Sequence, residues 1–298
     1  MKNIVLLLLF MSATFYAQER DIDNRQPISL EQLHLNGKVK QITTYRQTKE
    51  IDAKPIIAEQ KAFDENGLLV LDKTYYQGRL QMTYCYTYKN GNVETLTEIE
   101  AAPYGNTTLK KISYLEQHIK MQAYSEGVLK DGFIQKTDNN DHILYSKHEN
   151  YASNSYCEYG YTYHENGKVK QQQSDCFKDG VNHYSYRVDY TYKHDLLVKK
   201  QRFNSISKND SSITEIYSYD NAQHCIKMER YIDTVLVNKE TKVYASGNLK
   251  EHHFFNKADK ETKVINFSYD PQQNLCRKSV VDKTYNTTLI YTYEIAYF

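Results

Sequence analysis

The residues of this chain that could do chemistry are its histidines, two pairs of carboxylates and its cysteines. His252 and His253 are adjacent, and neighbours on a strand point to opposite faces, so they make a poor chelate. His164 and His194 fall near the tips of successive hairpins and could approach at one edge. No Cys or carboxylate accompanies them at ligand spacing. Glu98 and Glu100 share a strand face, and Asp138 and Asp141 share a turn. Solvated surface charge is the simpler reading of both pairs. Gly-x-Ser-x-Gly, a phosphate loop, His-Glu-x-x-His and a dinucleotide fingerprint are all absent. The sequence therefore predicts no catalytic residue, no metal ligand set and no cofactor.

There are five cysteines, Cys85, Cys157, Cys176, Cys225 and Cys276. The number is odd, so at least one stays free or pairs between chains. Without a Cys-x-x-Cys there is no support for a zinc ribbon or a redox motif. Cys157 and Cys176 are the disulfide candidates because they lie symmetrically about Asn166-Gly167. A two-residue turn sets them opposite each other. A three-residue turn ending in a glycine bulge moves the register by one and puts them on opposite faces. The turn type is open at this stage.

Alternating strands are the elements that position these groups. In Tyr159-Gly-Tyr-Thr-Tyr-His-Glu-Asn-Gly-Lys-Val169, Tyr159, Tyr161 and Tyr163 share one strand face. Asn166-Gly167 tolerates positive φ, as a tight hairpin needs. Tyr84-Cys-Tyr-Thr-Tyr-Lys-Asn-Gly-Asn-Val93 is nearly a copy. From Tyr163 on, the anchors Tyr163, Tyr192, Tyr219, Tyr244, Tyr269 and Tyr293 are spaced 29, 27, 25, 25 and 24 residues apart. A period of about 25 residues fits two strands and two turns, so each unit is one hairpin. About ten hairpins fill the chain, and one hairpin cannot bury its apolar face alone. Roughly twenty strands at about 4.8 Å make a sheet near 95 Å long, which must twist strongly, coil, or close into a shell or barrel. The expected fold is all-β, a tandem array of antiparallel hairpins. The irregular stretch 97–143 is where a break would fall.

Composition agrees. The 298 residues include 29 Tyr, 10 Phe and no Trp, with only 4 Pro and 11 Gly. Tyr favours strands and keeps its hydroxyl near water while its ring packs. Lys+Arg number 38 against 37 Asp+Glu, a balance that argues against nucleic-acid or anionic-membrane binding.

Lys2 followed by the apolar run Ile4–Met11 and the small residue Ala17 reads as a signal peptide over 1–17. The run is too short to span a membrane, and no Cys follows it until Cys85, so a lipoprotein is not expected. Export to the periplasm or beyond the cell is. Residues 18–35 read as a linker, with Ser29-Leu-Glu-Gln-Leu33 as one short helical turn and Ser29 and Gln32 at capping-box positions. Residues 36–298 form the repeat domain.

Phe63-Asp-Glu-Asn-Gly-Leu68, Tyr219-Asp-Asn221 and Tyr269-Asp-Pro271 resemble the tyrosine-aspartate (YD) repeats of RHS-type proteins, whose pattern is Tyr-Asp-x-x-Gly-x-Leu. The resemblance runs from about Gly37 to the C-terminus. Lys89, His164 and Lys193 replace the Asp in three other copies. The resemblance implies extended antiparallel sheets, which in large members wrap into a shell around a toxin. This chain is too short for that shell and carries no toxin-like module. MORN-like hairpin repeats are a poorer match.

The alternate-position aromatics form a stripe across the sheet. Tyr86, Tyr88, Tyr161, Tyr163, Tyr190 and Tyr192 are the candidates for a stacking platform that binds a glycan or a partner chain. A packing ladder is the favoured explanation of the same stripe, because aromatic cross-strand neighbours stabilise sheets unaided. The leading expectation is an exported, non-enzymatic interaction or structural module of the envelope, with a protein or cell-surface glycan partner. Open edge strands would give a route to self-association. The alternatives are a secreted polysaccharide-active enzyme with its site in 97–143, or, on the RHS resemblance alone, an immunity or accessory protein of a contact-toxin system.

Overall fold

The computed structural model describes residues 29–30, 32–49, 53–103, 105–115, 117–204 and 212–298. The signal-peptide reading and most of the linker lie outside them. The first strands are β1 (Val39–Thr48), β2 (Ile56–Phe63), β3 (Leu69–Tyr76), β4 (Arg79–Lys89) and β5 (Asn92–Glu100). They are followed by β6 (Thr107–Leu115), β7 (His118–Ser125), β8 (Val128–Thr137), β9 (Ile143–Asn150) and β10 (Ser155–Tyr163). The next five are β11 (Val169–Lys178), β12 (Val181–Lys193), β13 (Leu196–Asn204), β14 (Ser212–Tyr219) and β15 (Cys225–Ile232). The last are β16 (Val235–Ala245), β17 (Asn248–Asn256), β18 (Glu261–Tyr269), β19 (Leu275–Asp282) and β20 (Thr287–Tyr297). Each strand pairs antiparallel with its chain neighbours, and β1 pairs with β20 over Val39 to Thr48. The array is thus a closed up-and-down barrel of 20 strands. Only ring neighbours approach each other at the backbone. The stretch 97–143, expected to hold a break, is continuous ring. The β1–β20 seam leaves no open edge among the described strands, so self-association by edge pairing has no free ladder to use.

Closure has a local cause. At the rim formed by the turns after even-numbered strands (the first rim), eight hairpins share one geometry. The last inward residue of the outgoing strand pairs with the start of the return strand, and the next residue is bulged. Examples are Tyr88 with Val93, Tyr192 with Leu197 and Tyr244 with Leu249. The opposite, second rim has a bulge in six hairpins. An extra residue on one strand bends it and increases twist. Repeated at almost every turn, it curls a sheet that would otherwise be flat.

The turns come in two lengths. Short ones have two residues with positive φ, such as Asn90 (52°) and Gly91 (78°), or His194 (48°) and Asp195 (66°). Long ones span five residues and are organised by the first side chain. Asp64 Oδ1 accepts the amides of Asn66 and Leu68 at 2.9 and 2.8 Å. Asp138 and Asp220 do the same for Asn140 and His142, and for Ala222 and His224. This is the physical use of the Asp in the tyrosine-aspartate pattern: an Asx turn built on one acceptor.

The hairpin at 164–168 is of the long kind, with the His164 amide donating to Lys168 O at 2.8 Å. The two-residue turn at Asn166-Gly167 is therefore not what forms. Tyr163 pairs with Val169, and the bulge that follows returns the register to Thr162 opposite Gln171. Cys157 and Cys176 consequently face each other and are bonded.

Strand pairing places every anchor tyrosine, from Tyr84–Tyr88 through Tyr291 and Tyr293, on one common face. That face is the more buried. It holds Ile42, Tyr86, Leu96, Ile112, Met121, Phe133, Val188 and Met228. Side chains crowd on the concave side of a closed ring and splay on the convex side. Lys278 of β19 also feels Glu59 of β2, three strands away around the seam. The tyrosine face is therefore the inner one. Its densest part is at the first rim of β1–β8, where Leu30, Leu33 and Leu35 pack on it. The segment carrying these leucines has the expected reciprocal bonds, Ser29 N to Gln32 Oε1 and Gln32 N to Ser29 Oγ. It then ties to the far side of the seam through Asn36 and Asn274.

Candidate functional site

The inner face is where the sequence-singled tyrosines lie, and it divides them. Tyr86 and Tyr190 are buried among their neighbours. Tyr88 and Tyr163 spend their hydroxyls on the preceding hairpin, donating to Leu69 O at 2.5 Å and Ile143 O at 2.7 Å. Tyr219, Tyr269 and Tyr244 repeat the bond to Leu197 O (2.8 Å), Leu249 O (3.0 Å) and Cys225 O (3.5 Å). Burial raises the hydroxyl pKa of Tyr163, Tyr192 and Tyr219, so all three stay protonated donors. Tyr161 and Tyr192 complete the row. Most of the stripe is a ladder that joins one hairpin to the next, as the packing explanation expects.

Two turn histidines belong to the same ladder. His142 Nδ1 lies 2.9 Å from Asp138 Oδ2 and its ring stacks on Tyr163 at 4.6 Å. His224 lies 3.0 Å from Asp220 and stacks on Tyr244 at 4.4 Å. Their signal was present in the sequence, an Asp followed four residues later by His ahead of the next anchor tyrosine. It reads as a degenerate turn until the stacking partner is known.

The inner face is electrically uneven. Between β13 and β19 it carries Lys200, Arg202, Arg230, Lys242, Lys263 and Lys278 against Glu215, Glu240 and Asp282. Between β2 and β9 acids prevail: Glu59, Asp72, Glu98, Glu100 and Asp131 against Lys61 and Lys110. On the acidic side the cations are paired. Lys110 sits 2.9 Å from Glu98, and Lys61 sits 3.2 Å from Asp72. On the basic side Arg202 has no ion-pair partner among the described residues. Its guanidinium lies over the Tyr186 ring at 4.1 Å and near Tyr184 at 5.4 Å. Its Nε is buried without a hydrogen-bond acceptor. Burial, and then the charge of Arg230, lower its pKa. Arg230 has a long contact with Glu215, 3.9 Å. Glu215 in turn accepts the Tyr217 hydroxyl at 2.7 Å.

The other sequence candidates separate. Glu98 and Glu100 share the inner face as expected, but Glu98 bonds Lys110 and Glu100 accepts from Asn106. Asp138 is a turn acceptor, and Asp141 holds a φ of 62° in the same turn. His164 and His194 both sit at the first rim, and His164 meets the Tyr192 ring edge-on at 5.9 Å. His252 and His253 do point to opposite faces. His252 bonds Glu240 at 2.9 Å on the inner side, and His253 bonds Glu261 at 2.6 Å and Glu251 at 2.9 Å on the outer side. Glu240 and Glu261 come from cross-strand register, invisible to linear spacing, whereas Glu251 lies two residues before His253 on the same strand. Among the described residues no three His, Cys, Asp or Glu side chains cluster as a metal site. No helix among them is long and apolar enough to cross a membrane, a statement that leaves strands aside.

No family model matches this chain, and no curated protein does. Crystal structures of two porin-like proteins align with it. The one from Bacteroides uniformis covers 87% of this chain and 98% of its own, at 10% identity and a TM-score of 0.38. The one from Bacteroides vulgatus covers 88% and 99%, at 10% identity and a TM-score of 0.31. The crystal structure of TcdB2-TccC3-Cdc42 aligns over 84% of this chain, at 10% identity and a TM-score of 0.31. The aligned part is 19% of that neighbour's length.

Proposed function

We propose that this chain is an exported, non-enzymatic binding module of the cell envelope whose ligand enters the barrel and lies along the inner face. The observation that supports this reading is the pairing of tyrosine rings with under-neutralised cations on the inner face of β12–β16. Rings offer stacking surface, and a partly buried guanidinium without an acceptor offers an unused donor. A glycan strand is the ligand this surface suits, since it presents flat apolar ring faces and many polar groups together.

A lipid-spanning role does not suit the strands. A membrane barrel needs an outward apolar band about 25 Å tall, and a Lys or Arg at its midplane costs roughly 2–4 kcal/mol. Here both faces are charged at mid-strand. The inner face has Lys110, Arg202 and Arg230, and the outer has Lys147, Arg187 and Lys239. The barrel is read as water-borne in the periplasm or outside the cell.

The test is a glycan and cell-wall polysaccharide array probed with residues 18–298, followed by hydrogen exchange on any hit. Specific binding with protection in β12–β16 supports the reading. Absence of binding, or protection confined to the outer strand faces and rims, overturns it.

A further inference from the structure

We infer that the inner face of β13–β16 holds a specific site for an acidic sugar, one whose carboxylate or sulfate sits between Arg202 and Arg230. The inference rests on the proposed inner-face binding role and gives it a ligand class.

Three independent features converge there. The first is unspent positive charge. Among the described residues Arg202 has no carboxylate at ion-pair distance, its Nε lacks an acceptor, and Arg230 has only a 3.9 Å contact with Glu215. Across β13, β14 and β15 the inner-face row runs Lys200, Glu215, Arg230, and Arg202 lies two residues from Lys200, so three cations surround one carboxylate and a further anion is favoured there. The planar forks of Arg202 and Arg230 match carboxylate and sulfate oxygens.

The second feature is an unspent acceptor. Asn238 pairs directly with Arg230 across β15 and β16, and its buried Oδ1 has no donor. Buried side-chain acceptors in folded proteins are normally satisfied, so an orphan acceptor next to Arg230, on the same face as the orphan donor of Arg202 three strands away, calls for an extended ligand that supplies both partners. A simple anion supplies only acceptors. A sugar acid supplies acceptors at its acid group and donors at its hydroxyls. Asn238 also lines a cavity of about 370 Å³, together with Glu240, Phe254 and Lys263.

The third is shape. The Arg202 guanidinium already lies over the Tyr186 ring at 4.1 Å and near the Tyr184 ring at 5.4 Å. These ring contacts restrict the side chain before a ligand arrives and reduce the ordering cost of binding. The acidic β2–β9 half of the interior repels the same ligand and so orients it toward the basic half.

The test is isothermal titration of residues 18–298 with oligogalacturonate, a heparin-derived oligosaccharide and a neutral glucan oligosaccharide, each at low and high salt. Binding of at least one acidic oligosaccharide, at least tenfold tighter than the neutral one and weakened by salt, is expected. Which acidic ligand binds tells carboxylate from sulfate. Arg202→Gln and Arg230→Gln should each weaken it tenfold or more, Arg202→Lys by less, and Asn238→Leu should weaken it without changing the salt dependence. Unchanged thermal melts of the variants exclude misfolding. Equal binding of neutral and acidic ligands, or acidic binding indifferent to Arg202 and Arg230, overturns this inference and leaves the inner-face role standing. Absence of binding by every oligosaccharide also overturns this inference, while the array decides the inner-face role separately.

Discussion

The Tyr219 hydroxyl donates to Leu197 O at 2.8 Å, and Leu197 is the residue that pairs with the previous anchor, Tyr192. The relation is iterated. Tyr244 reaches Cys225, the partner of Tyr219, and Tyr269 reaches Leu249, the partner of Tyr244. Each hairpin is thus latched to its predecessor at the first rim, in addition to the strand ladder. Removing one hydroxyl should cost about 1 kcal/mol, the net worth of a hydrogen bond to a half-buried carbonyl. Tyr219→Phe is expected to lower Tm by about 2–4 °C, and Tyr219→Ala to cost about 3–5 kcal/mol because the ring goes too. Urea unfolding of the pair of variants measures both. A Phe variant as stable as the parent would show that the hydroxyl does not latch.

The long turns hold a left-handed residue at their fourth position, and the sequence fills it unevenly. Gly67 sits there in the first long turn at φ 77°, but Gln223 holds φ 66° and Gln273 φ 67°. A residue with a Cβ is strained at this φ. Gln223→Gly is therefore expected to stabilise by about 0.5–1 kcal/mol. Gly67→Ala should do the reverse by about 1–2 kcal/mol, since an added Cβ would also lie 3.1 Å from Leu30 Cδ1. Opposite shifts in Tm are the signature. Shifts of the same sign would rule out backbone strain as the cause.

The Cys157–Cys176 bridge crosses the β10–β11 hairpin with a sequence separation of 19. A crosslink closing a loop of that size stabilises by about 3 kcal/mol, chiefly through the unfolded chain. The double variant Cys157→Ser, Cys176→Ser should lower stability by that order. In the folded parent, thiol titration should count three free cysteines, Cys85, Cys225 and Cys276. Burial raises the Cys225 thiol, so it should react more slowly than Cys276 at pH 8. Five reactive thiols without reductant would exclude the bridge.

Much of the fold is legible in the residues themselves, and the limits are physical. Alternation in Tyr84-Cys-Tyr-Thr-Tyr88 gives strand and face, and the 25-residue interval gives hairpin count. Closure is less visible because it depends on bulges, and a bulged Glu94 or Lys170 looks like any other strand residue. The turn at 164–168 misleads for the same reason. Asn166-Gly167 suggests two residues, yet His164 starts a five-residue turn, and the bulge after Val169 restores the register a two-residue turn would have given. The candidate site was less legible than the fold. Tyr163 and Tyr190 stand out by type, but Arg202, Arg230 and Asn238 come to one stretch of the inner face only through the pairing of β13 to β16, up to 36 residues apart in sequence.

His253 supplies a pH dependence with a definite sign. Burial pulls its pKa down, but hydrogen bonds to Glu261 and Glu251 outweigh that and leave it raised. Glu261, bonded to Lys283 and His253, is lowered. A raised histidine contributes stability that is full below its unfolded pKa, near 6.5, and is lost as pH climbs through the folded value. A lowered carboxylate contributes above its unfolded pKa, near 4.5, and is lost as pH falls through its folded value. The pair is therefore worth most between about pH 5 and 6. These groups are solvent-screened, so the contribution should be no more than about 1 kcal/mol. His253→Gln is expected to lower Tm by about 1–3 °C at pH 5.5 and to match the parent by pH 9. Thermal melts across that range decide it. A difference that grows toward high pH would mean that His253 is held neutral instead, with one carboxylate accepting from its single N–H and the other left without a donor from the ring.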